Sequence, residues 1–276
     1  MSNVIEIKNL TKTYGKSRGV NDISLAVEQG DIFGFLGPNG AGKSTTIRSM
    51  LGMIHYQSGS IELLGMDAKT QQKEILRQVG YMPSEAMFYP SMKVKDVIKF
   101  AADARKMNCE KEAAYICKKL EVNLDKRISQ LSLGNRKKVS VVCAMQHKPK
   151  LLIFDEPTSG LDPLMQEAFF DLILEYNKQG TTCFLSSHVL SEVKRYCNNA
   201  TIIREGKIIA TDSVENLSRS DVRHIKLWRK GKLEEFVHRG DINELLKQLQ
   251  DTQIDDLLIE QPTLDEVFMH FYEGNS

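Results

Sequence analysis

The chain has 276 residues, a formal net charge of +1, 26% charged residues and 41% apolar ones. That length can bury one substantial core, or one core with a small appendage. The balanced charge supplies no broad field for nucleic acid, and the apolar runs are too short for a membrane-crossing helix, so a soluble, intracellular protein is expected.

The amino terminus alternates like a strand and lacks the long apolar core of a signal peptide. Five cysteines, none in a C-x-x-C pair, read as small buried residues of a reducing compartment and not as disulfides or a zinc site.

In chain order, residues 4–10, 23–27 and 31–36 are predicted as strands, with turn material at 15–19 and 28–30. The third strand runs directly into Gly37, Pro38, Asn39, Gly40, Ala41, Gly42, Lys43 and Ser44, a complete G-x-x-x-x-G-K-[ST] phosphate loop. A glycine-rich turn alone could be chain punctuation. Here a strand precedes it, Lys-Ser closes it, and a helix predicted over 44–51 aims its positive end at the same point. Lys43 can reach the β- and γ-phosphates of a nucleoside triphosphate, Ser44 can ligate Mg²⁺, and Thr45 follows in the same turn.

Short strands are predicted at 60–64 and 79–82. From 93 to 120 apolar residues such as Val94, Val97, Ile98 and Ala101 recur at helical spacing. Another helix is predicted over 136–145, ended by Lys148-Pro149. The stretch from about 84 to 148 is therefore expected as a helical subdomain inserted between core strands. Leu151-Leu-Ile-Phe-Asp155 reads as a strand buried on both faces, with acids emerging at its carboxyl end. Asp155 suits a water-mediated Mg²⁺ contact, and Glu156 suits a general base that orients an attacking water. The alternative is a strand that merely ends in two surface acids. A helix at 166–176, a strand at 181–186 and a hairpin around Gly206 complete an α/β pattern with a largely parallel core sheet.

The composition changes after Asp212. A basic cluster, Arg229-Lys-Gly-Lys232, is followed by a tail with an amphipathic helix predicted over 264–272. There Thr263 and Glu266 fit a capping box, and Leu264, Val267, Phe268 and Phe271 share an apolar face. The expected organisation is a main domain over 1–217 and a small carboxyl-terminal extension over 218–276.

Between the two phosphate motifs lies Leu131-Ser-Leu-Gly-Asn135, and after Glu156 come Ser159-Gly-Leu-Asp162 and His188. In this order the motifs resemble those of the nucleotide-binding subunits of ATP-binding-cassette (ABC) transporters, over about residues 4–210. The resemblance implies a phosphate-loop ABC cassette with a mixed core sheet, an amino-terminal antiparallel part and an inserted helical subdomain. It makes Leu131–Asn135 the signature, Asp162 part of the D-loop, His188 the switch histidine, and Tyr14 the aromatic that stacks on adenine. It also implies Mg²⁺-dependent ATP hydrolysis between two cassettes, identical or paralogous. Ser132, the Gly134 backbone and a helix amino terminus of one cassette would face the γ-phosphate held by the other.

Two motifs depart from the family pattern. Leu133 and Asn135 occupy the third and fifth signature places, where glycine and glutamine are common. Ser84 stands where the Q-loop glutamine is usual. Met87-Phe-Tyr-Pro90 is either core packing or a groove for a helix of a membrane partner. The tail segment Gln261–Phe268 resembles one common in ABC-2 exporters. The expected role is an ATPase subunit that drives a separate permease, for export, from the cytoplasmic face of the membrane. The rival is a soluble cassette ATPase acting on ribosomes or DNA, and no nucleic-acid partner is expected.

Overall fold

The computed structural model describes residues 2–15, 19–218, 222–250 and 253–260. It divides into two compact units, Met1–Thr211 and Asp212–Ser276. The chain opens with β1 (Asn3–Thr13), β2 (Gly19–Glu28), β3 (Ile32–Leu36), α1 (Lys43–Met50), β4 (Ser58–Leu63), β5 (Met66–Asp67), α2 (Gln72–Gln78) and β6 (Val79–Met82). It continues through α3 (Val94–Ala104), α4 (Glu110–Lys119), α5 (Leu133–Met145), β7 (Leu151–Asp155), α6 (Pro163–Lys178), β8 (Thr182–Ser187), α7 (Leu190–Tyr196), β9 (Asn199–Arg204) and β10 (Lys207–Ser213).

Two sheets build the larger unit. The first, in order β2-β1-β4-β5, is antiparallel. Ile5 and Ile7 pair with Val27, Leu25, Leu63 and Ile61, so one pleated face is apolar and buried. The second sheet has the order β10-β9-β3-β8-β7-β6, and β9, β3, β8, β7 and β6 run parallel. All five residues of β3 and all five of β7 are buried, as continuous apolar runs in a covered parallel sheet require. Phe33 and Phe35 pack on Phe184 of β8 at centroid distances of 6.0 and 5.4 Å.

The amino-terminal edge of this sheet is stapled by side chains. Gly30 N–H donates to Thr182 Oγ1 at 2.9 Å, Asn177 Nδ2 to Gly30 O at 2.8 Å, and Thr181 Oγ1 to Pro149 O at 3.0 Å. The five cysteines are all free thiols, four of them buried.

The helical stretch splits where Lys106 adopts φ +56°, which ends α3 and separates it from α4. Helices α2 and α7 were not predicted; at seven residues each, they carry too few apolar positions to show a period. Helix α5 begins at Leu133, three residues before the expected start at 136, because Ser132 caps it.

The second unit holds α8 (Val214–Ser218), β11 (Val222–Arg229), β12 (Lys232–Arg239), α9 (Ile242–Leu249) and β13 (Asp256–Glu260). Its sheet is antiparallel, in order β12-β11-β13, and Ile225 and Leu227 pack with Leu245 and Leu249 in a core of their own. The basic cluster proves to be a hairpin turn: Arg229 pairs with Lys232, while Lys230 and Gly231 both have positive φ, at +48° and +71°. That backbone suits the twist of the flanking strands. The helix predicted over 264–272 and the segment at 261–268 lie outside the described residues.

Candidate active site

Parallel strands deliver their carboxyl ends to one edge of the sheet. The phosphate loop leaves β3, Ser84 follows β6, Asp155 ends β7 with Glu156 directly after it, and His188 follows β8. Because β8 lies between β3 and β7, these segments converge although they are far apart in sequence.

The loop is built for backbone contact. A Cβ on Gly37 would come within 2.3 Å of Ile203 O, one on Gly42 within 2.6 Å of Val20 Cγ1, and Gly42 has φ +113°. Only glycine allows so close an approach. Helix α1 has no side-chain cap and no acid in its first turn, so its leading N–H groups remain available to an anion. Lys43 is 6% exposed. Its Nζ donates to Gly37 O at 2.5 Å and to Pro38 O at 3.2 Å, and forms an ion pair with Glu156 Oε1 at 3.0 Å.

Asp155 is fully buried. Ser186 donates its hydroxyl to Asp155 Oδ1 at 2.6 Å, while Oδ2 is buried without a partner. An orphaned anionic oxygen at a strand end near a phosphate loop fits a cation and its water shell. Glu156 departs from β geometry with φ +51°, its N–H bonded to Ser186 O at 3.1 Å. This left-handed twist turns its carboxylate into the cleft, where Oε2 meets His188 Nδ1 at 2.7 Å. The structure thus brings Lys43, Glu156 and His188 into one chain of polar contacts. The surface-acid alternative for Asp155 and Glu156 does not hold.

The remaining expected residues have local roles that are visible in one chain. Ser132 Oγ accepts from Asn135 N–H at 3.3 Å and from Asn135 Nδ2 at 3.0 Å, capping α5. The departure at Asn135 therefore reinforces the cap. Gly134 approaches the following loop so closely that a Cβ would lie 2.5 Å from Gly160 O. Asp162 Oδ1 accepts from Met165 N–H at 3.0 Å and caps α6, with Pro163 at the first helical position. Tyr14 is exposed, with Lys12 Nζ 4.8 Å above its ring. Met87 and Tyr89 are 86% and 74% exposed, which removes the core-packing alternative for these two, while Phe88 between them is half-buried. They flank a segment that shares an open cleft of about 620 Å³ with Asn39, Glu156, Ser159 and His188.

Three residues were missed by sequence reasoning. Ser186 orients Asp155, as above. Glu192 on α7 accepts from Ser187 Oγ at 3.0 Å, and burial, eased by bonds from Thr158 and Ser187, raises its pKa. Lys137 on α5 is buried and donates to Glu156 O at 2.5 Å. The only sequence signal for Lys137 was its place behind the signature in Arg136-Lys-Lys138.

Among the described residues no helix is long and apolar enough to cross a membrane. Residues 20–159 match the family described as ABC transporter. The chain is 36% identical over 230 residues to the bacitracin transport ATP-binding protein BcrA of Bacillus licheniformis, covering 82% of this chain and 75% of that protein. It is 32% identical to the linearmycin resistance ATP-binding protein LnrL of Bacillus subtilis, covering 78% and 70%. A solved ATP-binding subunit of an ABC transporter superposes with a TM-score of 0.74 at 28% identity, covering 78% of this chain and 92% of that one. The phosphate cradle, the acids at the end of β7 and these likenesses agree: the chain belongs to the ABC transporter family, as an ATP-binding subunit and ATPase.

Proposed function

We propose that this ATPase powers export through a separate membrane permease. It would sit at the cytoplasmic face of the membrane and work as one of two facing cassettes. The names of its relatives, one for bacitracin transport and one for linearmycin resistance, support export. The observation that carries the mechanism is the chain Lys43–Glu156–His188, whose Glu156 and His188 line a cleft that continues to the exposed Met87.

In this reading Gly37 to Thr45 hold the triphosphate through backbone N–H groups and the Lys43 ammonium, and Tyr14 stacks on adenine. Lys43 must leave its carbonyl and carboxylate partners to meet the phosphates. Glu156 is thereby freed to accept a proton from the attacking water, with His188 fixing its orientation. Ser44 and Asp155 would hold Mg²⁺, whose bound charge offsets that of the β- and γ-phosphates. Ser132, Gly134 and Asp162 face the nucleotide of the second cassette. ATP then closes the pair and hydrolysis releases it. The cleft beside Met87-Phe-Tyr-Pro90 receives a short helix of the permease, which carries the motion into the membrane.

Light scattering of the Glu156→Gln variant tests this reading. MgATP should convert it from monomer to dimer, and ADP should not. A monomer at saturating MgATP would overturn the paired-cassette reading.

A further inference from the structure

Lys137 is 1% exposed in the second turn of α5, an unusual place for a lysine. Burial lowers its pKa, while the carboxylates of Glu156, Asp155 and Glu192 act to keep it charged. Its Nζ donates to the backbone oxygen of Glu156, 19 positions away. That carbonyl belongs to the residue twisted to φ +51° at the strand end. The N–H of the same residue is held by β8 through Ser186 O. Glu156 is thus gripped on both backbone sides, by the sheet and by α5, and the grip sets where its carboxylate points.

Helix α5 also begins at the signature: Ser132 is its cap and Gly134 lies in its first turn, against Gly160 O. One end of a rigid helix turn would thus face the nucleotide held by the second cassette. Three residues after Gly134, Lys137 of the same helix holds the backbone oxygen of Glu156, whose carboxylate would serve this chain's own nucleotide.

We propose that Lys137 is a positioning residue that fixes Glu156 for hydrolysis and links the two nucleotide sites of a cassette pair. Contact of the signature with the partner's ATP shifts α5, and Lys137 passes that shift to Glu156. This inference rests on the reading of Glu156 as base and on the paired arrangement.

Lys137→Met keeps the length and apolar stem but removes the donor; Lys137→Arg keeps a donor. The test measures MgATP hydrolysis by the purified full chain, binding of a fluorescent ATP analogue, and thermal unfolding. Lys137→Met should lose at least tenfold in kcat, with nucleotide affinity within twofold of the original chain. Its Hill coefficient for ATP should fall toward one, and Lys137→Arg should recover part of both. A merely structural lysine would lower melting temperature and affinity together with kcat, and that pattern overturns the proposal. Should Lys137→Met not fold, Lys137→Gln, whose amide reaches one atom less far, takes its place: lower kcat and cooperativity at unchanged affinity support the link, and full cooperative hydrolysis refutes it. The two layers separate cleanly. If Glu156→Gln hydrolyses ATP at the original rate, the base assignment fails; if that variant is inactive and Lys137→Met is fully active, only the present inference fails.

Discussion

Lys43 Nζ and Glu156 Oε1 lie 3.0 Å apart, both largely shielded from water. In the proposed mechanism the cation that would meet phosphate and the anion that would meet water neutralise each other before nucleotide arrives. ATP binding must therefore break an ion pair at least partly desolvated, which costs free energy on the binding side.

Glu156→Gln removes one side of this pair. Hydrolysis should fall by a factor on the order of 10²–10⁴, the usual contribution of a general base. ATP should bind more tightly, by up to about tenfold, as Lys43 is released to the phosphates. Equilibrium titration beside steady-state hydrolysis checks both, and weaker ATP binding would contradict the competition. Lys43→Ala should instead abolish tight binding.

Asp155 presents one oxygen held by Ser186 and one without a partner. Asp155→Asn should make nucleotide affinity insensitive to Mg²⁺, matching what the original chain shows with a chelator present. Ser186→Ala should weaken the Mg²⁺ dependence less, by a few-fold, since it orients the carboxylate without replacing it. Titrations with and without Mg²⁺ distinguish the two.

Gly134 is required by packing before any nucleotide is considered. Gly134→Ala places a methyl group 2.5 Å from Gly160 O, a backbone atom that cannot swing aside. A loss of about 1–3 kcal/mol in stability is expected without nucleotide, as for overpacked sites in general. Denaturant unfolding of the nucleotide-free chain measures it, and an unchanged midpoint would place the role of Gly134 wholly at the partner's phosphate.

His147 follows α5 and sits buried with Nε2 3.3 Å from Val79 O. Burial, aided by the charge of Arg105, pushes its pKa down from 6.5 to about 4. The folded chain thus holds the neutral ring, and the unfolded chain takes up a proton first as pH falls. Its contribution to stability is complete above about pH 6.5 and is lost as pH drops toward 4, by up to roughly 3 kcal/mol. Unfolding free energies measured across that window should fall, and His147→Gln should flatten the slope there.

Much of the site was legible because its motifs are local. The phosphate loop and the acids after β7 each occupy a few consecutive residues, and their residue types alone dictate the chemistry. Strands β6 and β7 were legible to the residue because buried parallel strands are short apolar runs between breakers. Helices α2 and α7 were not, since one turn of buried contact leaves no period. Lys137 was illegible for a different reason: its partner is a backbone carbonyl 19 positions away, and no side-chain pattern records a carbonyl. The cap formed between Ser132 and Asn135 was read from sequence only as a departure from the family pattern. Its compensating logic appears once the helix start is known.

Side chains tie down one end of the parallel sheet. Gly30, Pro149, Thr181, Thr182 and Asn177 tie its amino-terminal edge with side-chain bonds, whereas the loops proposed to handle nucleotide leave the opposite end. Displacement at the free end then needs no change at the root. Amide protons near the clamp should exchange slowly while those at the tips exchange fast, and the stroke passed to a membrane partner would be bending at the tips over a fixed base.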